Sequence, residues 1–177
     1  MYPIFRMLKE IYKYRNAPDL PVDGVHVSQH ICWPWDLDIW WELNNGRTLT
    51  LFDLNRIPLG NRMGLVGVIR REKWGLAIAG SSVRFRRRVR AFDRFEMRAR
   101  LIGHDEKFFY IEQSMWRNGD CTSHVLHRAA VTRKGGMVPP VEVYAAMDVA
   151  EEDHPVLPDW ARAWIAADAE RPWPPEM

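Results

Sequence analysis

The sequence has little cysteine and no evident metal or nucleotide signature. Its two thiols, Cys32 and Cys121, are far apart and lack a C-x-x-C spacing, so neither a disulfide framework nor a thiolate zinc cluster is expected. The six histidines show no metal-ligand spacing beyond His124 and His127, and in a strand positions i and i+3 face opposite ways. A zinc site is therefore rejected. No Gly-rich phosphate loop and no Ser-His-Asp nucleophile elbow is present. Charge of one sign is not in excess: 25 basic and 23 acidic side chains leave +2, which argues against nucleic acid or an anionic membrane as the main partner. No uncharged apolar run approaches the ~20 residues of a spanning helix, so stable membrane insertion is not expected. The first residues lack the apolar core and small-residue cleavage site of a secretory signal. Reduced thiols and a cytoplasmic location are the expectation.

What is there is an ordinary globular composition, 47% apolar and 27% charged, long enough for one domain with a proper core. Nine tryptophans stand out. They fit either an apolar pocket with a polar mouth or large side chains filling a sheet–helix interface. Residues 2–15 form an amphipathic helix with Tyr2, Ile4, Phe5, Leu8, Ile11 and Tyr12 on one face, expected to dock that face on the domain. VHVSQHICW (25–33) alternates as a strand. Asn44 or Asn45 is a natural N-cap for a helix over 47–57, with Pro58 and Gly60 closing it. Residues 63–71 are helix or strand by periodicity. Long strands follow in SSVRFRRRVRAFD, DRFEMRARLIG, KFFYIEQSMW and HVLHRAAVTR, joined by hairpin turns near Asp93, at Gly103–Glu106 and at Asn118-Gly119. After a tail with Pro139-Pro140 and an acidic loop, a short helix spans 158–169. One helix followed by antiparallel strands, each with one apolar face, predicts an α+β domain with a curved sheet around that helix.

The chemistry concentrates in WPWDLDIWWELNNGRTLTLFDLNR (33–56), where carboxylates and amides sit among tryptophans just ahead of the helix. D-L-D, then N-N-G-R and L, then D-L-x-R, resembles the opening motif of hot-dog-fold thioesterases of the 4-hydroxybenzoyl-CoA thioesterase type. The closer likeness is to the bacterial acyl-CoA thioesterase-like branch related to thioesterase superfamily member six. The stretch 81–113 is similar to that branch's central strands, and LPDWARAWIAAD to its C-terminal helix. The resemblance implies a hot-dog domain over residues 1–135, including the N-terminal helix. A C-terminal extension over 136–177 would pack its short helix on that domain. It also implies a homodimer or dimer of dimers with sites at the seam, and a thioester of coenzyme A or an acyl carrier protein as substrate. No metal or organic cofactor is implied; coenzyme A enters only as part of the substrate.

Thioester hydrolysis needs a carboxylate to align or deprotonate water, or to attack the carbonyl, and donors aimed at the developing oxyanion. A helix N-terminus supplies such donors. Asp38 matches the branch's catalytic aspartate. Asn45, Gly46 and Arg47 match the carbonyl-polarising helix start, with Asn44 beside them. The branch pattern D-L-D-x-N-G-H-M-N-N-G-R-Y-L then breaks: Trp40, Trp41 and Glu42 stand where Asn-Gly-His is expected, and Thr48 where Tyr is expected. Three readings follow. Glu42 joins Asp38 in catalysis; Asp38 alone suffices and Trp40 and Trp41 reshape the acyl pocket; or turnover is lost and the module binds an acyl thioester or a protein partner. A dehydratase on the same fold finds no motif. Asp36 reads as a turn or cap residue, and Asp53 with Arg56 as an ion pair one helical turn apart. Arg84, Arg86, Arg88 and Arg90 share a strand face, with Arg98 and Arg100 beside them. They are either a landing strip for phosphates or a solvated face balanced by Glu96 and Glu112.

Overall fold

A computed structural model describes residues 2–175. Helix α1 (Ile4–Tyr14) precedes strand β1 (His26–Ile31), and a turn at Pro34–Asp36 leads to α2 (Asn45–Arg62) and α3 (Leu65–Arg71). Four long strands follow: β2 (Gly75–Phe85), β3 (Arg94–His104), β4 (Phe109–Arg117) and β5 (Asp120–Arg133). The short β6 (Gly136–Val138), α4 (Pro140–Ala146) and α5 (Asp159–Ala169) complete the chain. The sheet is antiparallel in the order β1-β3-β4-β5-β2, with β6 on β5.

Strand alternation sorts the core. Phe95, Met97, Met115 and Val125 meet Leu51, Phe52 and Leu54 of α2, while Ala99, Leu101, Phe109, Ile111 and Ala129 meet Leu59 and α4. The intervening Ile102, Tyr110 and Leu126 face the other way and are covered by Ala161, Trp164 and Ile165 of α5. The curled sheet thus holds α2 on one face and α5 on the other. This is the hot-dog arrangement with a packed C-terminal helix.

Several expectations are corrected. Helix α2 does not stop at Ile57 but runs through Pro58 and Gly60 to Arg62. Pro58 and Leu59 are buried, and that packing outweighs the backbone bond a helical proline forfeits. The stop is at Gly64, whose φ of 79° is left-handed. Residues 65–71 are helix. Strand β2 ends at Phe85, so of the arginine row only Arg84 is in it; Arg86, Arg88 and Arg90 belong to the connection. That connection is no hairpin, because β2 pairs with β5 whereas β3 pairs with β1. The Pro139-Pro140 tail opens α4, with Pro140 in the first turn where its missing N–H costs nothing.

Helix α1 docks by the unexpected stripe. Met7 and Glu10 are buried and Ile11, of the expected face, packs on the core, while Ile4, Phe5, Leu8 and Tyr12 are 57, 89, 57 and 66% exposed. Polar anchoring sets this rotation. Arg6 reaches the carbonyl of Ile31 and the carboxylate of Asp36, and the Tyr14 hydroxyl donates to the carbonyl of Val27. Among the described residues no helix is long and apolar enough to cross a membrane.

Candidate active site

The start of α2 is built by the loop before it. Asp36 has no exposed surface. Its Oδ2 accepts from Arg6 Nη1 at 2.7 Å and from the Trp33 backbone at 3.1 Å, and its Oδ1 accepts from Arg47 Nε at 2.6 Å. Its own carbonyl accepts from the Asn44 N–H at 3.0 Å. One carboxylate therefore ties α1, the loop and α2 together. Asn44 is the N-cap, its Oδ1 accepting from the Arg47 N–H at 2.9 Å. Asn45 and Gly46 follow as the first helical residues, exposed, with N–H groups that have no intrahelical acceptor.

Between Asp36 and Asn44 the chain makes a tight hairpin. Leu37 and Leu43 pair as an antiparallel bridge, and the Asp38 N–H donates to the Glu42 carbonyl at 2.9 Å. Asp38 Oδ1 accepts from the Trp40 N–H at 2.8 Å. Trp41 is left-handed, with a φ of 60°, at the place where the branch pattern has glycine. Ile39, Trp40 and Trp41 form the exposed tip, whereas Trp33 and Trp35 stack at 5.3 Å on the loop's first arm.

Two grooves flank this hairpin. One, of about 240 Å³, is lined by Glu42, Asn45, Thr48, Phe85, Arg86–Arg88 and Ser123. Arg88 Nε lies 2.9 Å from Glu42 Oε2. The Ser123 hydroxyl is buried and has no hydrogen-bond partner among the described residues. Thr48 turns its hydroxyl onto the Asn44 carbonyl at 3.1 Å. The other groove, of about 880 Å³, is walled by Pro3, Ile4, Phe5, Trp35 and Leu37, with Arg6, Asn44 and Arg47 along it. Of the residues singled out in the sequence, Glu42 and Asn45 share the first groove, and Asn44 and Arg47 the second. Asp38, Trp40, Trp41 and Gly46 line neither. Sequence reasoning missed Ser123, Phe85 and Arg6. No local motif marks them, since only the sheet register and the docking of α1 bring them here.

Asp53 and Arg56 pair on α2, and Arg56 also donates to Gln113 Oε1 at 3.3 Å. Burial holds the Arg56 guanidinium below its ordinary range, opposed by Asp53. Arg98 pairs with Glu96 and Arg100 with Glu112, as the solvated-face reading requires. Among the described residues no group of three His, Cys, Asp or Glu side chains is placed to hold a metal ion.

The model of the thioesterase-like superfamily matches residues 32–165. The chain belongs to that superfamily. Protein THEM6 of Xenopus laevis is 36% identical over 88 residues, 50% of this chain and 42% of that protein. The chain thus spans less than half the length of the curated relatives it matches. Solved structures agree on the fold. A probable thioesterase from Bartonella henselae superposes with a TM-score of 0.59 at 16% identity, over 66% of this chain and 98% of that one. A 1,4-dihydroxy-2-naphthoyl-CoA thioesterase from Synechocystis gives 0.58 at 14%, over 75% and 100%. Within the superfamily frame, the departures at Glu42 and Thr48 fall in the groove beside the helix start.

Proposed function

We propose that the protein hydrolyses an acyl thioester at the start of α2. The observation that carries this is one groove lined by Glu42, by Asn45 of the open helix end, and by a buried Ser123 hydroxyl without a partner. In this reading water adds to the thioester carbonyl carbon and gives its proton to the Glu42 carboxylate. The oxyanion is met by the free N–H group of Asn45 at the open helix end. The C–S bond then breaks, and the thiolate takes up the proton to leave as the thiol. Asp38 stands as the second candidate carboxylate. Its turn bonds, to Trp40 through the side chain and to Glu42 through the backbone, support a role in shaping the hairpin that presents Glu42. The reaction uses side chains and water; coenzyme A or a carrier protein arrives with the substrate.

The groove is smaller than the ~300–1,000 Å³ typical of ligand sites. Its Phe85 wall is the end of β2, an edge strand whose Leu76, Ile78 and Phe85 are each more than a third exposed. A second copy paired along β2 would cover those side chains and supply the missing wall, which supports a homodimer. The rival reading, a module that binds an acyl thioester without cleaving it, is favoured by the Arg88 pair that occupies Glu42.

A panel of short, long and aromatic acyl-CoAs, with thiol release followed by a colour reagent, tests the proposal. Turnover is expected, with Glu42→Gln lowering kcat at least a hundredfold and Asp38→Asn less. Loss confined to Asp38→Asn would transfer the role to Asp38. No turnover across the panel, with thermal stabilisation by an acyl-CoA, would establish the binder.

A further inference from the structure

Helix α1 turns its apolar arc to solvent. At about 100° per residue, Ile4, Phe5, Leu8 and Tyr12 fall within one third of the helical wheel, Lys9 and Lys13 within the next, and Glu10, Tyr14, Met7 and Ile11 within the last. The last arc faces the domain: Met7 and Glu10 are buried, Ile11 packs on the core, and the Tyr14 hydroxyl donates to the carbonyl of Val27. In the first arc each of the four side chains is more than half exposed. Trp35, which lines the same groove as Ile4 and Phe5, extends this surface and is 69% exposed. A contiguous apolar patch of this kind marks a binding surface.

The exposed charge beside the patch has one sign. Lys9, Lys13 and Arg15 are exposed. Lys9 keeps 74% of its side chain in solvent, although its Nζ lies 3.8 Å from Glu10 Oε1. Lys13 Nζ stands 4.8 Å from the centre of the Tyr14 ring, and the Arg15 guanidinium 3.6 Å from that of Tyr12. The carboxylates nearby are withdrawn. Glu10, the one acid of α1, is buried, and Asp36, the one acid lining the groove, is buried between Arg6 and Arg47. The near-neutral total of the chain hides this local excess.

An apolar arc flanked along its length by lysines, with no exposed acid, is complementary to the boundary between acyl chains and anionic headgroups. We infer that α1 seats the protein on an anionic lipid surface. Ile4, Phe5, Leu8 and Trp35 enter the acyl boundary, and Lys9, Lys13 and Arg15 lie among the headgroup phosphates. The helix lies in the plane of the surface and adsorbs reversibly, since its eleven residues are too few to span a bilayer. The Arg6–Asp36 pair and the Tyr14 bond hold α1 folded on the domain, so the face is presented with little ordering cost. This inference is independent of the hydrolase reading.

Flotation of the full chain with vesicles tests this, using pure phosphatidylcholine and an equal mixture of phosphatidylcholine and phosphatidylglycerol. The wild type is expected to partition onto the mixed vesicles at least tenfold more strongly than onto phosphatidylcholine, and raised salt is expected to erase most of that difference. Each lysine near an anionic surface is worth about fivefold in partitioning. Lys9→Gln with Lys13→Gln is therefore expected to weaken binding to the mixed vesicles at least tenfold and to leave the residual binding to phosphatidylcholine unchanged. Phe5→Ser with Leu8→Ser, both at exposed positions, is expected to weaken binding to both lipids at least tenfold. Val156→Ser, at an exposed apolar position in the segment before α5, serves as the surface control and changes neither. A wild type that stays off the mixed vesicles overturns the inference, as does equal binding to both lipids or binding that survives Phe5→Ser with Leu8→Ser. If the wild type floats with neither vesicle, and on a sizing column forms larger oligomers that Phe5→Ser with Leu8→Ser abolishes, the face is a contact between copies and the inference falls.

Discussion

Asp36 shows what one side chain can determine. It sits in the sequence among better-looking carboxylates, and spacing gave no reason to prefer it. In the fold it is fully buried, receives Arg6 and Arg47, and fixes the geometry of everything around the helix start. Removing one partner from a buried charged cluster leaves the others uncompensated, which costs about 3–5 kcal/mol. Asp36→Ala is therefore expected to lower the unfolding free energy by about that much in urea titrations, and to free α1 for early proteolysis after Arg6 or Lys9. A loss below about 1 kcal/mol would mean that the two arginines find water instead. The motif singles out positions 38 and 42, and of the two Glu42 lines a groove while Asp38 lines neither. Ser123 was not legible, because a serine in an alternating strand carries no sign that its hydroxyl ends up buried beside a helix terminus.

Elements were legible where one local rule acted alone. The Asn-Gly turn between β4 and β5 and the cap at Asn44 are short-range chemistry, and both stand where the sequence places them. Helix α2 and strand β2 were misjudged at their ends because tertiary packing overrides proline in one case, and because an alternating arginine run mimics a strand in the other. The face chosen by α1 followed from Arg6 and Tyr14, two polar anchors that periodicity ignores. Gly103 marks another long-range decision. It sits at the irregularity in the β3–β4 register with a φ of 142°, and a Cβ there would lie 2.7 Å from Leu157 Cγ and 2.9 Å from the Leu157 N. The segment leading into α5 thus lies directly on this glycine. Gly103→Ala combines a strained backbone with overpacking, each worth about 1–3 kcal/mol. The expected result is a protein destabilised by at least 2 kcal/mol whose chain near Leu157 exchanges amide hydrogens faster. Unchanged exchange there would show that Leu157 moves aside without releasing α5.

For the whole molecule the buried histidines set an acid limit. His26, His30 and His127 are all buried. Burial, reinforced by Arg62 for His26, Arg6 for His30 and Arg56 for His127, lowers their pKa values to about 4, about 3 and about 3. In the unfolded chain each returns to about 6.5. Below that pH the unfolded state binds protons that the folded state refuses. The stability is therefore whole above about pH 7 and falls as pH drops toward the folded values. Each histidine removes roughly 1.4 kcal/mol per pH unit, so three remove roughly 6 kcal/mol by pH 5, comparable with the entire stability of many domains. Glu10 acts in the opposite sense. Burial raises its pKa, so it loses stability as pH rises, while Glu112, lowered chiefly by its bond to His124, adds to the acid loss only below the ordinary carboxylate range. Urea unfolding at half-unit steps is expected to show a flat plateau from pH 8 to 7, and then a steep descent that leaves the protein largely unfolded near pH 5. His30→Gln, which keeps a polar partner for Ser28, should flatten that descent by about a third. A midpoint that does not move between pH 7 and pH 5 would mean that the native state admits these protons by opening locally, and the three buried histidines would lose their role as the acid limit.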